Sequence, residues 1–215
     1  MSKVKTISSD VLLSSELLSA EDSFSLSIEL EQRLQLTAPE IIELALPARN
    51  RVEALLQKEF LEEEQLRELA CDFAERTLHV FEWYCPHDLR PRKFVEIARD
   101  YYVGKASKEK LKAAFVETWR AIEGFTGRPY KGVFASGLAI SLLYPHEADK
   151  MAQKVALWAQ NAMNRKEWEN RSSNFDLIVG GEREAIWQLA RIIRMFAIED
   201  ISAPYTPSQS IITNI

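Results

Sequence analysis

An all-α protein, built as a single-domain bundle or array of about seven helices with a short N-terminal strand or arm, is predicted from three observations. Beyond position 37, apolar residues recur mostly at steps of three and four, the period of a helix with one buried face. Only seven Gly and eight Pro punctuate 215 residues, which leaves room for long uninterrupted helices. A hydrophobic fraction of 47% beside 27% charge is that of a soluble globular chain, and this length supports one main core.

Residues 1–36 are set apart as a Ser-rich N-terminal arm, since nine of them are serine. Within it SFSLSIEL alternates strictly, with Phe24, Leu26, Ile28 and Leu30 on one side, the period of a half-buried strand. An isolated strand is unstable, so the arm is expected to pack on the domain or on a neighbouring subunit, where it makes the chain a candidate homo-oligomer. The helical domain is placed at 37–200. Thr37-Ala-Pro-Glu40 has the form of a capping box and predicts a helix start. Pro47 ends that helix and opens a second through ARNRVEALLQKEF.

The strongest periodicity lies in FLEEEQLRELACDFAERTLHVFEWY, where Leu66, Leu69, Ala70, Phe73, Thr77, Val80, Phe81 and Tyr84 share a face. KFVEIARDYYVGK repeats the pattern through Phe94, Ile97, Ala98 and Tyr101 and stops at Gly104, a natural residue just past a helix end. Further helices fit 107–124, 129–143, 146–168 and 181–198. The last stretch, 201–215, has two prolines and no helical period, and reads as a loose tail.

The two cysteines, Cys71 and Cys85, and an N-terminus without a signal-peptide core fit a reducing cytoplasm. The longest nearly apolar stretch, 132–144, is well short of the roughly 20 residues that span a bilayer, so no membrane partner is expected. Cys71 and His79 share one helix, about 12 Å apart along its axis at 1.5 Å per residue, too far for one zinc. Cys85 and His87 would need two distant partners, and no metal or other cofactor is expected. His146-Glu147 lacks the second histidine of a metalloprotease helix; Ser136 lacks one glycine of a nucleophile elbow; no phosphate-binding glycine loop occurs. No catalytic residue is assigned, and the chain is not read as an enzyme.

Charge is unevenly distributed. From Arg90 to Lys112 there are eight cations and three anions, whereas from Glu53 to Asp72 there are seven anions and two cations. The net charge of −5 disfavours nucleic acid as a whole-molecule partner. Phe94 and Tyr101 fall on the apolar stripe, so the basic stretch also lacks the exposed rings that stack on bases. WYCPHDLRPRK, residues 83–93, reads as a corner between two helices: Pro86 prevents continuation of one, Asp88 caps the next, and Pro91 lies in its first turn. Cations at a helix N-terminus are opposed by the helix dipole. Asp88, Arg90, Arg92, Lys93 and Arg99 are therefore the candidate partner-binding residues, with internal pairing to Asp88, Glu75 or Glu96 as the competing explanation of the arginines and lysine.

Three stretches, LPARNRVEALLQKEF, LRELACDFAERTLHVFE and HDLRPRKFVEIARDYYVGK, resemble the immunity-protein-five-like family of bacterial polymorphic toxin systems, over about 47–105. The matching residues are Cys71, Ala74, Glu75 and Arg76, then Asp88, Arg90, Pro91 and Arg92. The later stretch FASGLAISLLYPHEADKMAQKVALWAQNA resembles the family in outline. It keeps only His146 where the family often has several histidines, so no histidine-based function is carried over. The resemblance implies an all-helical protein that binds and blocks a toxin without chemistry of its own. An acidic chain suits a basic toxin, because complementary charge speeds encounter.

Overall fold

A computed structural model describes residues 5–13, 26–27, 30, 33–123, 147–169 and 179–199. Its first element is β1 (Thr6–Ser8), followed directly by α1 (Ser9–Leu13). β1 pairs antiparallel with β2 (Gln35–Thr37), Ile7 standing opposite Leu36. Both Ile7 and Leu36 are buried, so this two-stranded ribbon is held by the main core. The strand expected in SFSLSIEL is not where the sheet forms. Leu26 and Ser27 are helical, and the Leu30 amide donates to the Leu26 carbonyl at 2.9 Å. The reason is that an alternating pattern also contains i, i+4 pairs: Leu26 and Leu30, both buried, share one helical side as readily as one face of a strand.

Thr37 then caps α2 (Ala38–Glu43). Its hydroxyl accepts from the Glu40 amide, and the Glu40 carboxylate accepts from the Thr37 amide at 2.8 Å. Those two bonds satisfy donors that a helix start leaves open, and the Thr37 amide together with the Thr37 hydroxyl, which also donates to Glu40 Oε2 at 2.8 Å, holds the Glu40 carboxyl below its ordinary pKa. Pro47 is the cap residue of α3 (Ala48–Leu55), as its fixed φ favours. The Ala48 amide finds its acceptor 134 residues away, on Glu182 Oε1 at 2.8 Å.

The longer helices are α4 (Glu63–Tyr84), α5 (Arg90–Tyr102), α6 (Lys108–Glu123), α7 (Ala148–Glu169) and α8 (Val179–Glu199), which brings the helices among the described residues to eight. The helix expected at 129–143 and the tail at 201–215 lie outside the described residues. α4 packs along α7, α7 along α8, and α8 on α3, while α5 joins α4 and α6 joins α5. α4 offers large side chains to this core: Leu66, Leu69 and Phe73, with Ala70 and Ala74 between them. α7 meets them with Ala148, Ala152, Ala156 and Ala159 around Met151 and Val155, all buried, and small residues let the two helices approach while large ones fill the gap. Burying each Leu or Phe side chain contributes about 1.5–3 kcal/mol.

A polar string crosses the α4, α7 and α8 core. Gln160 of α7 donates to Gln188 Oε1 at 2.8 Å, and Gln188 donates to the Ala156 carbonyl at 3.2 Å and to Glu184 Oε1 at 3.3 Å. Glu184 in turn accepts from Arg76 Nε at 2.8 Å, and the Arg76 guanidinium lies 4.2 Å from the centre of the Trp187 ring. The Glu184 side chain has no exposure, and burial raises its pKa against the opposing pull of Arg76.

α5 ends at the glycine that the sequence marks. Val103 caps it, and Gly104 takes φ +75°, where a side chain would be strained. The Gly104 amide donates to the Tyr101 carbonyl, and those of Lys105 and Ala106 to that of Asp100. The next helix begins two residues on, with the Ser107 hydroxyl accepting from the Lys110 amide at 3.2 Å.

Candidate functional site: an ionic ladder and the helix corner

The 22 residues of α4 use one side for the core and another for charge. Glu68, Asp72, Glu75 and Glu82, spaced by four, three and seven, project on a common side, because those steps return close to whole turns. Cations reach this acidic stripe from both flanks. From α8, Arg191 donates through Nε to Asp72 Oδ2 at 2.6 Å and through Nη2 to Glu68 Oε1 at 2.8 Å. From α5, Arg99 Nη2 donates to Asp72 Oδ1 at 2.8 Å and to Glu75 Oε2 at 2.7 Å. Arg92 closes the series with a bidentate grip on Glu82, at 2.7 and 2.9 Å, and stands 3.8 Å from Glu75.

The result is a continuous alternation of acid and guanidinium, Glu68, Arg191, Asp72, Arg99, Glu75, Arg92, Glu82, that ties three helices together. Asp72 is its hinge point: its side chain is 17% exposed and receives two arginines, so it is the best shielded of the four acids. Burial works against the charge of Arg99, and the hydrogen bonds to Asp72 and Glu75 outweigh it, leaving its pKa above the ordinary value. Bidentate pairing with Glu82 does the same for Arg92.

Four of the five candidate partner-binding residues prove to be engaged within the chain. Asp88 accepts from the Arg90 amide at 3.2 Å, from its Nε at 2.9 Å and from its Nη2 at 2.6 Å, which holds the Asp88 carboxyl low and the Arg90 guanidinium high. The cap position itself belongs to Leu89, one residue later than expected, because Asp88 reaches the first helical amide from outside the helix. Arg92 and Arg99 belong to the ladder. Thus the puzzle of cations at a helix start is answered for the arginines by Asp88, Glu82, Glu75 and Asp72; of the acids named from the sequence, Glu96 makes no ion pair with them. Lys93 differs: it is exposed and pairs with no described acid.

Cys71 is buried, and burial pushes its thiol up to about 12, so it is held protonated and unreactive. Cys71 and Cys85 are both free thiols. His79 Nδ1 lies 2.8 Å from the Arg76 carbonyl on the exposed side of α4, and His87 is exposed in the corner, whereas His146 lies outside the described residues. Among the described residues, no three His, Cys, Asp or Glu side chains converge as a metal site, and no helix is long and apolar enough to cross a membrane. What the arrangement offers is therefore a rigid charged surface over α4 and α5.

Sequence reading missed Arg191, Asp72 and Glu82 as partners. Arg191 is 119 residues from Asp72, a separation over which spacing carries no information. Glu82 was within reach of inference, since it lies ten residues before Arg92 across a tight corner.

No curated protein and no solved structure gives a significant match to this chain. A family model does, over the segment that opens just before α4 and runs through α5 to near the end of α6, so it includes the corner and most of the ladder while leaving out residues 47–56 of the stretch read from the sequence. Residues 57–122 match the family described as "Imm-5 like putative immunity protein".

Proposed function

We propose that this protein is a non-enzymatic protein-binding module that neutralises a cognate bacterial toxin by occupying its surface. The observation that carries the proposal is the family match over 57–122. The setting of that segment supports it. α4 and α5 are cross-linked by Arg92 and Arg99, and Arg191 fixes the same face to α8, so the surface is ordered before a partner arrives. A preordered face loses little freedom on binding, which is what a tight inhibitor of another protein requires. Cys71, the one buried thiol of the segment, is held in its protonated form, which suits a structural role.

The test uses the product of any toxin-like reading frame found beside this gene. The purified pair is expected to form a complex by calorimetry, and co-expression is expected to protect cells. No complex at micromolar concentration, together with no protection, overturns the proposal.

A further inference from the structure

The basic stretch of the sequence separates, in the structure, into two populations. Its three arginines are spent inside the molecule, Arg90 on Asp88, Arg92 on Glu82 and Arg99 on Asp72 and Glu75. Its five lysines, Lys93, Lys105, Lys108, Lys110 and Lys112, are all exposed, and none pairs with a described acid. Four of them crowd the turn after α5 and the first part of α6. Of the acids nearby, Glu117 holds Arg120 at 2.6 Å, and the Glu109 carboxyl is held low by its own backbone amide, then by Ser107, with the Lys112 and Lys108 charges adding to the effect.

Among the described residues α6 packs chiefly on α5, and its far end joins Phe81 of α4 through Ala121. It rests on α5 through Leu111, Phe115 and Thr118, with the Phe94 and Phe115 rings 6.2 Å apart and the Thr118 hydroxyl donating to the Arg90 carbonyl at 3.2 Å. Beside that seam runs a second stripe, Lys108, Lys112, Val116 and Trp119, at steps of four, four and three, so the four side chains share one side, with the Trp119 ring 6.2 Å from that of Phe115. All four are exposed, Val116 at 44% and Trp119 at 36%, and Val103 at 66% adds to the apolar surface beside Lys105.

We infer that this outer stripe of α6, with Lys105 and Lys108 at its start and Val116 and Trp119 further along, is the docking surface for a protein partner that presents carboxylates around an apolar recess. Charge complementarity selects the occupant. Lysines held in no ion pair with a described acid attract carboxylates without breaking a bond in the fold, whereas the arginines would have to leave theirs. The apolar half selects a protein: a Trp and a Val in line supply the desolvated centre typical of protein interfaces. This inference rests on the toxin-binding reading above and adds which face meets the toxin. It also divides the surface, since the acidic stripe of α4 is neutralised by its own arginines while α6 is not.

The test measures Kd for the product of any toxin-like reading frame beside the gene with the full-length protein and three variants. Lys108→Glu combined with Lys112→Glu is expected to weaken binding about a hundredfold, mainly through the association rate. Val116→Ser is expected to weaken it about tenfold. Lys58→Glu, an exposed charge reversal outside α6, reports the effect of half that change in net charge and is expected to change Kd less than about twofold. Thermal melts establish that each variant is folded. An unchanged Kd for the lysine pair, or an equal loss with Lys58→Glu, overturns the α6 surface while leaving toxin binding intact. If the wild-type protein does not bind the toxin, both readings fall. A short DNA duplex and phosphatidylserine vesicles form the remaining arms: binding to either that is lost with the lysine pair, while toxin binding persists, assigns the stripe to nucleic acid or lipid and overturns the inference.

Discussion

Asp72→Asn isolates the hinge of the ladder, because it keeps the side chain's shape and removes its charge. Two charge-assisted bonds end on this carboxylate, from Arg99 at 2.8 Å and Arg191 at 2.6 Å. At about 1.5 kcal/mol each, the lower end for bonds to charged groups, they sum to about 3 kcal/mol. The arginines are 35% and 21% exposed, so water screens part of this, and about 2 kcal/mol is expected to be lost. The remaining Arg99 and Arg191 would then face one another without the anion between them. For a chain of this size that loss lowers Tm by about 4–8 °C. Urea unfolding followed by circular dichroism reads it directly, and at molar salt the gap between variant and wild type should narrow, since the screening length falls to about 3 Å. Arg120→Gln, at an exposed pair on α6, is the contrast and should change stability by less than about 0.5 kcal/mol. A loss below about 0.5 kcal/mol for Asp72→Asn, or one indifferent to salt, would refute the idea that the ladder stabilises the α4, α5 and α8 junction.

Other perturbations report on the core and the caps. Phe73→Ala empties a site with no exposure and removes an edge contact to Trp187, and should lower unfolding free energy by about 3–5 kcal/mol in the same urea assay. Gly104→Ala meets no neighbouring atom within 4 Å, so its cost is the left-handed backbone alone, about 1 kcal/mol by thermal melt. Glu184→Gln tests the raised pKa of that buried acid. The folded state holds its proton more tightly than the unfolded one, so stability falls as pH rises from the unfolded value near 4.5 through the raised folded one; the Gln variant should flatten that part of the pH profile, and an unchanged slope counts against it.

Local chemistry was legible in the sequence wherever it is written within a few residues. The Thr37 and Glu40 box, the break at Pro47, the length of α4 and the stop at Gly104 each depend on neighbours three or four positions apart. β1 and β2 were not legible, because three-residue strands have too few side chains to show a period and their pairing spans 29 positions between Ile7 and Leu36. SFSLSIEL misled for the complementary reason, its alternation being compatible with the helical turn found at Leu26. The basic corner was visible as a cluster, yet its division into committed arginines and uncommitted lysines depends on Asp72 and Glu82, whose positions only the packing of α4 against α5 reveals.

The buried amides of Gln160 and Gln188 bear on how the helices find one setting among several. Alanine faces such as that of α7 are nearly uniform along their length, and an axial slip of one turn, about 5.4 Å, would exchange one alanine for another at small cost. The same slip would break the bond from Gln160 to Gln188 and that from Gln188 to the Ala156 carbonyl, a cost of about 1–3 kcal/mol for each buried group left unsatisfied, while Glu184 would keep Arg76 and Gln188 of its own helix. These few polar atoms act as a vernier between α7 and α8: they add little to adhesion, and they make the neighbouring alignments unaffordable, so the charged faces outside are presented in a single register.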